Sequence, residues 1–129
     1  MCYKVFNTPK TFIDSVTTCR EEGGTLAMPR DAKTNAFLAS FYMSKKSRGV
    51  SDLVFWIGLQ DQEKEGTFKW LDGSALGRYR LWSPGQPDSG GADEDCVVSG
   101  NVPLRGHMWY DTPCYYQLRF ICQVTPGRT

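Results

Sequence analysis

The chemistry-bearing residues of this chain crowd into one stretch, Gly85-Gln86-Pro87-Asp88-Ser89-Gly90-Gly91-Ala92-Asp93-Glu94-Asp95-Cys96. Four carboxylates and an amide fall between positions 86 and 95, with no basic residue among them. Carboxylates this close repel one another, so the loop is either a solvated acidic turn or built around something positive. A hard dication such as calcium takes about six to eight oxygens at ~2.3–2.6 Å, from carboxylates, amide carbonyls, backbone and water. Gln86, Asp88 and Glu94 supply that ligand set, and Gly90-Gly91 permits a backbone tight enough to converge them.

Other chemistries find less support. The carboxylates could serve as an acid–base pair, but four in one loop suit a metal better than a tuned pair. There is one histidine, His107, and no GxSxG, HExxH or P-loop motif, so no enzyme is expected. Structural zinc lacks its usual CxxC pair. A net charge of +1 creates no field toward nucleic acid or anionic membranes. No apolar run is long enough to span a bilayer, so membrane insertion is not expected. The opening MCYKVFNTPK lacks the apolar core of a secretory signal, and Met1 reads as a start placed ahead of a mature or excised domain.

The loop needs elements to hold it. A chain of 129 residues, 40% hydrophobic and 13% aromatic, suits one compact domain over 1–129. Thr11 reads as a helix N-cap with Asp14 able to reach back. Phe12, Val16 and Cys19 then fall on one face, and Gly23-Gly24 stands where a left-handed cap is wanted. A second helix is expected from Asp31 to about Lys46. Phe37, Leu38, Phe41 and Tyr42 form its apolar stripe, with Lys45-Lys46-Ser47-Arg48 at its C-terminus. From residue 53 the pattern turns to β. Leu53–Leu59 is a branched, aromatic run typical of a buried strand, followed by Phe68–Leu71, Cys96–Ser99, Met108–Asp111 and Arg119–Val124. Residues 72–95, rich in Gly, Ser and Pro, read as a long functional loop. The fold class is α+β, helices first and strands after. Five cysteines point to disulfides and an oxidising, extracellular setting, either secreted or in a receptor ectodomain. Two bridges with one cysteine left over can be drawn in many ways, and spacing alone does not choose.

Cys2-Tyr3-Lys4, the helix bearing Cys19, Trp56-Ile57-Gly58-Leu59, Gln86-Pro87-Asp88, Glu94-Asp95-Cys96, Trp109-Tyr110-Asp111, Cys114 and Phe120-Ile121-Cys122 occur in that order. By this combination the chain resembles the C-type lectin-like domain over nearly its whole length. The resemblance implies two helices packed on short antiparallel sheets, with a long calcium-binding loop. It also implies bridges Cys19–Cys122 and Cys96–Cys114 and a cis Gln86–Pro87 bond. Longer members pair the cysteine of the CYK context with one in an N-terminal hairpin. Here that hairpin reads as truncated, leaving Cys2 unpaired or bridging a second chain. Trp56, Trp70, Trp82 and Trp109 map to core positions.

Mapped residue by residue, the family's principal calcium site is Gln86, Asp88, Glu94 and Asp111. Tyr110 stands where asparagine is usual, which removes one oxygen and should weaken affinity to about 10⁻⁴–10⁻³ M. A second site maps to Asp61, Glu65, Ser89, Glu94 and Asp95, with Ser89 replacing an aspartate. In the family a QPD triplet accompanies galactose-like diols, so the ligand is expected to be galactose or N-acetylgalactosamine. No tryptophan follows the triplet to stack on the sugar; Tyr110 and His107 are the candidates to take its place. The partners implied are glycans, microbial surface polysaccharides among them, with oligomerisation through absent segments or Cys2. The alternative is a protein- or lipid-binding module of the same fold that has abandoned calcium, which Tyr110 and Ser89 favour.

Overall fold

The computed structural model describes residues 2–43, 54–62, 67–80, 82, 96–102 and 106–124, with backbone alone at 39–43, 101–102 and 106–107. Along the chain these form β1 (Cys2–Lys10), α1 (Phe12–Glu21), β2 (Gly24–Leu26), α2 (Ala32–Met43) and β3 (Val54–Gln60). They continue with β4 (Lys69–Trp70), β5 (Cys96–Val102), β6 (Gly106–Thr112) and β7 (Leu118–Val124).

Thr11 starts α1 as its side chain suggests: its Oγ1 accepts from the Asp14 N–H at 3.3 Å. Phe12, Ser15, Val16 and Cys19 are the buried face. Gly23 ends the helix with φ 89°, a conformation that favours glycine, while its N–H reaches Arg20 O at 3.0 Å. Asp31 caps α2, its Oδ1 accepting from Thr34 N–H at 2.7 Å. The expected apolar stripe of α2 needs correction. Leu38 is buried, but Phe37 is 50% exposed and meets Tyr3 edge-on at 5.5 Å; Asn35 takes an inward position instead. The Phe41 and Tyr42 side chains and Lys45–Arg48 lie outside the described residues.

The strands expected from residue 53 onward all form, some longer than their apolar runs, because β5 and β6 pair over seven successive positions, Cys96↔Thr112 to Val102↔Gly106. The front of the chain is not purely helical. β1 and β2 both pair antiparallel with β7, so the two ends of the described chain meet in one sheet. Pro9 is tolerated in β1 because that strand is an edge. The sheet order is β1-β7-β3-β5-β6, with β2 on β7 and β4 on β3. β3 and β7 run parallel, Phe55 opposite Arg119 and Trp56 opposite Phe120. The short antiparallel sheets expected are thus one seven-stranded mixed sheet.

Side-chain alternation along β3 splits the core in two. Trp56 joins Phe12, Val16 and Cys19 of α1, with Val98 and Phe120. Phe55, Ile57 and Leu59 join Leu38 of α2, with Val97, Trp109 and Ile121. Trp56 is closed over by Phe12 edge-on at 5.5 Å and donates from Nε1 to Lys10 O at 2.9 Å, so its polar handle is satisfied inside the core.

After β4 the chain turns at Gly73, where Asp72 Oδ1 accepts from Ser74 N–H at 3.0 Å and from Ser74 Oγ at 2.6 Å, and Arg30 pairs with the same carboxylate. These contacts, Ser74 first and Arg30 after, hold the Asp72 carboxyl down to about 2. A depressed folded pKa gives stability that is present above the unfolded value near ~3.9 and lost as pH falls through the folded one. The group is well solvated, so the effect is screened to under ~1 kcal/mol. Asp72→Asn is expected to flatten the acid limb of the melting curve between about pH 4 and pH 2 while leaving pH 7 within about 1 kcal/mol of the parent.

Candidate functional site

The β3 alternation that buries Phe55, Ile57 and Leu59 carries on to Asp61, just past the strand's end, and Asp61 is 2% exposed. On β6, Asp111 follows Trp109 on one face and is 3% exposed. The register brings these strand ends together. Gln60 pairs with Cys96, and Cys96 with Thr112, so the end of β3, the start of β5 and the end of β6 lie abreast. With strands ~4.8 Å apart, Asp61 and Asp111 are on the order of 10 Å apart across β5. Asp95, the last residue of the acidic stretch, is joined directly to Cys96 in this row.

Aromatic packing fixes the position of Asp111. The edges of Trp70, Tyr79 and Trp82 surround Trp109 at ring-centroid distances of 5.7, 5.8 and 5.7 Å. Asn35 Oδ1 accepts from Trp109 Nε1 at 3.3 Å and ties α2 to the same point. Trp56, Trp70 and Trp109 are buried and Trp82 is half-buried against Phe68 and Trp109, in accord with a packing role. The stretch 72–82, read as loop, is anchored through Leu76, Tyr79 and Trp82 on this cluster. Trp82 also makes a parallel bridge to Trp109.

Both implied disulfides form. Cys19–Cys122 joins α1 to β7 with Cα atoms 5.3 Å apart, and Cys96–Cys114 joins the start of β5 to the segment after β6 at 5.2 Å. The second bridge lies one residue from Asp95 and three from Asp111, so it staples the two strands that border the candidate site. Cys2 is a free, exposed thiol.

Of the residues mapped to calcium, Asp61 and Asp111 are described. Glu65, Gln86, Asp88, Ser89, Glu94 and Asp95, and with them the Gln86–Pro87 bond, lie outside the described residues. Among the described residues no three His, Cys, Asp or Glu side chains form a metal-holding group. His107 pairs with Asn101 in the β5–β6 ladder, its side chain outside the description. Tyr110 is half-buried, and its ring lies over Gly100, on the face of β6 opposite Asp111. Burial pushes the Tyr110 phenol up, so it stays protonated at neutral pH.

The chemistry of the described pair fits a hard cation. A carboxylate with almost no water contact is costly unless compensated by nearby groups, and both aspartates have interactions with their surroundings. Both lie at the end of the sheet to which Asp95 is joined in sequence, and carboxylate oxygens are the donors that a hard dication takes. Sequence reasoning passed over Tyr115 and Tyr116, 65% and 49% exposed on the turn after Cys114. Two adjacent aromatics beside a bridged cysteine are the only signal, and it suggests core as readily as surface.

Comparison with known proteins bears on this arrangement. Collectin-10 of Gallus gallus is 38% identical over 126 residues, covering 98% of this chain and 42% of the relative. The chain thus spans about two-fifths of the length of the curated relative. The mouse scavenger receptor C-type lectin carbohydrate-recognition domain superposes with a TM-score of 0.77 at 30% identity, over 94% of this chain and 87% of that one. Herring type II antifreeze protein has the same fold, with a TM-score of 0.77 at 25% identity and the same coverages of 94% and 87%. Residues 8–124 match the family model for the lectin C-type domain, and with that span, both bridges and the mixed sheet in place, the chain belongs to the C-type lectin domain family.

Proposed function

We propose that this domain is a calcium-dependent carbohydrate-binding module leaning toward galactose and N-acetylgalactosamine. One observation carries the reading: Asp61 and Asp111 are both buried at the same end of the sheet, on the strands either side of β5, at the end where Asp95 is joined in sequence to Cys96. Asp111, Gln86, Asp88 and Glu94 would hold the principal ion, and Asp61, Glu65, Ser89, Glu94 and Asp95 the second. Bound calcium supplies open coordination positions for two vicinal hydroxyls. The protein's part is orientation: the Gln86 amide donates and the Asp88 and Glu94 carboxylates accept at those hydroxyls, which sets the diol geometry. The carbohydrate-recognition domain of the mouse scavenger receptor C-type lectin supports the sugar part of the reading. Two disulfides support an extracellular setting. A single site of this kind is weak, so useful avidity against glycan-rich surfaces comes from several copies in the parent protein.

With a dissociation constant of about 10⁻⁴–10⁻³ M, 10 mM calcium should stabilise the fold by about 1.4–2.7 kcal/mol. That is a rise in melting temperature of roughly 5–10 °C over the chelated protein. Retention on galactose resin should appear with calcium and vanish with chelator. A melting curve indifferent to calcium together with passage straight through the resin supports the second reading, a calcium-independent protein- or lipid-binding module. Tyr110, turned over Gly100 where the family usually has an asparagine ligand, favours that reading.

A further inference from the structure

On the sheet face shared with α1, a cleft of about 200 Å³ is lined by Val54, Val98, Tyr110, Thr112, Tyr116 and Leu118. Tyr110 and Thr112 flank Asp111 in sequence, so strand alternation puts this cleft on the other side of β6 from the candidate cation site. Two local features shape it. A Cβ on Gly100 would stand 2.6 Å from Tyr110 Oη and 3.1 Å from its ring, so only glycine lets that ring lie down across β5. On the other side, Tyr116 meets Tyr115 edge-on at 5.4 Å. Their turn is held by Tyr116 N–H to Pro113 O at 3.3 Å and Phe12 N–H to Cys114 O at 3.0 Å.

The dimensions and chemistry select an occupant. An apolar cavity of ~150 Å³ accepts benzene, so this volume suits one aromatic ring with a small substituent. No lining side chain is charged at neutral pH, which disfavours ions. Tyr110 and Tyr116 provide ring partners, and the surface facing the cleft is almost wholly apolar, so a polar substituent on the ring would point to solvent. We propose that the cleft is a binding site for a small neutral aromatic molecule, independent of calcium and separate from the carbohydrate site.

The test is titration of p-cresol into the isotope-labelled domain, followed by amide NMR shifts, with chelator and then with calcium. Saturable shifts clustered at Val98, Tyr110, Thr112 and Leu118 are expected, with a dissociation constant on the order of 10⁻³ M in both conditions. Tyr116→Ala removes a wall at an exposed position, and Gly100→Ala drives the Tyr110 ring from its seat. Each is expected to weaken binding about tenfold, a loss the size of one well-packed ring contact. The spectra of the variants report their own folding, and either one that folds decides the matter. Shifts that never saturate, that scatter over the surface, that require calcium, or that are undiminished in a variant that folds overturn the proposal. Galactose retention is scored separately, so either site can fail without the other.

Discussion

Replacing Cys19 and Cys122 together by alanine, on a Cys2→Ala background that prevents thiol exchange, is expected to destabilise the domain by about 4–5 kcal/mol. The bridge spans a sequence separation of 103, so its loss frees nearly the whole chain in the unfolded state. Chain entropy for a loop of ~100 residues gives about 4.7 kcal/mol, a large share of the ~5–15 kcal/mol that holds a domain together. Both sulfurs are fully buried, Cys19 against the inner face of α1 and Cys122 beside Leu26 of β2 in the β7 ladder. Alanine therefore leaves a small void but no orphaned polar group, which serine would. The melting temperature should fall by roughly 15–20 °C. Removing Cys96–Cys114, with a separation of 18, should cost less, about 3 kcal/mol. If denaturant titrations gave the two double variants equal losses, or put the long bridge below about 1 kcal/mol, loop closure would not be what stabilises this fold.

What could be read from residues alone follows from how local each signal is. The cap at Thr11, the face of Phe12, Val16 and Cys19, and the stop at Gly23 depend on spacings within one helix, and all three appear as expected. Leu53–Leu59 announced a buried strand because both of its faces are core, one toward α1 and one toward α2. β1 and β2 gave no comparable signal. β1 is an edge strand with Pro9 and mixed burial, and β2 is three residues long; both exist because β7 offers them a ladder from the far end of the chain. The same non-locality explains Phe37. Helical spacing marks it as core, but Leu38 and Asn35 face the sheet, and Asn35 does so because Trp109 needs an acceptor for its indole N–H. The disulfides were legible through resemblance and not through spacing. At the site, Asp61 and Asp111 could be named from the sequence, while their burial at one end of the sheet depends on a register spanning three strands.

Asp111→Asn is expected to erase the calcium-dependent gain in stability, and this is the largest effect predicted on function. The amide keeps the volume of the carboxylate, so the packing around Trp109 that positions residue 111 is retained. What changes is charge. On the proposed reading, the anionic oxygen that would face the dication is replaced by a neutral one in a place with 3% exposure, where little water screens the loss. An affinity fall of about 100-fold follows. With a starting constant near 10⁻³ M, the stabilisation from 10 mM calcium drops from about 1.4 kcal/mol to under about 0.1 kcal/mol. Because Asp111 also interacts with its surroundings, the calcium-free protein will change too. The readout is therefore the difference between calcium and chelator within each variant, in which that change cancels. Asp61→Asn should remove only part of the gain, since on the proposed reading it would hold the second ion and not the principal one. Galactose retention should be lost in Asp111→Asn and weakened in Asp61→Asn. An Asp111→Asn protein that still gains the parent's full calcium shift would mean that β6 does not hold the ion, and that any cation this domain takes is bound elsewhere.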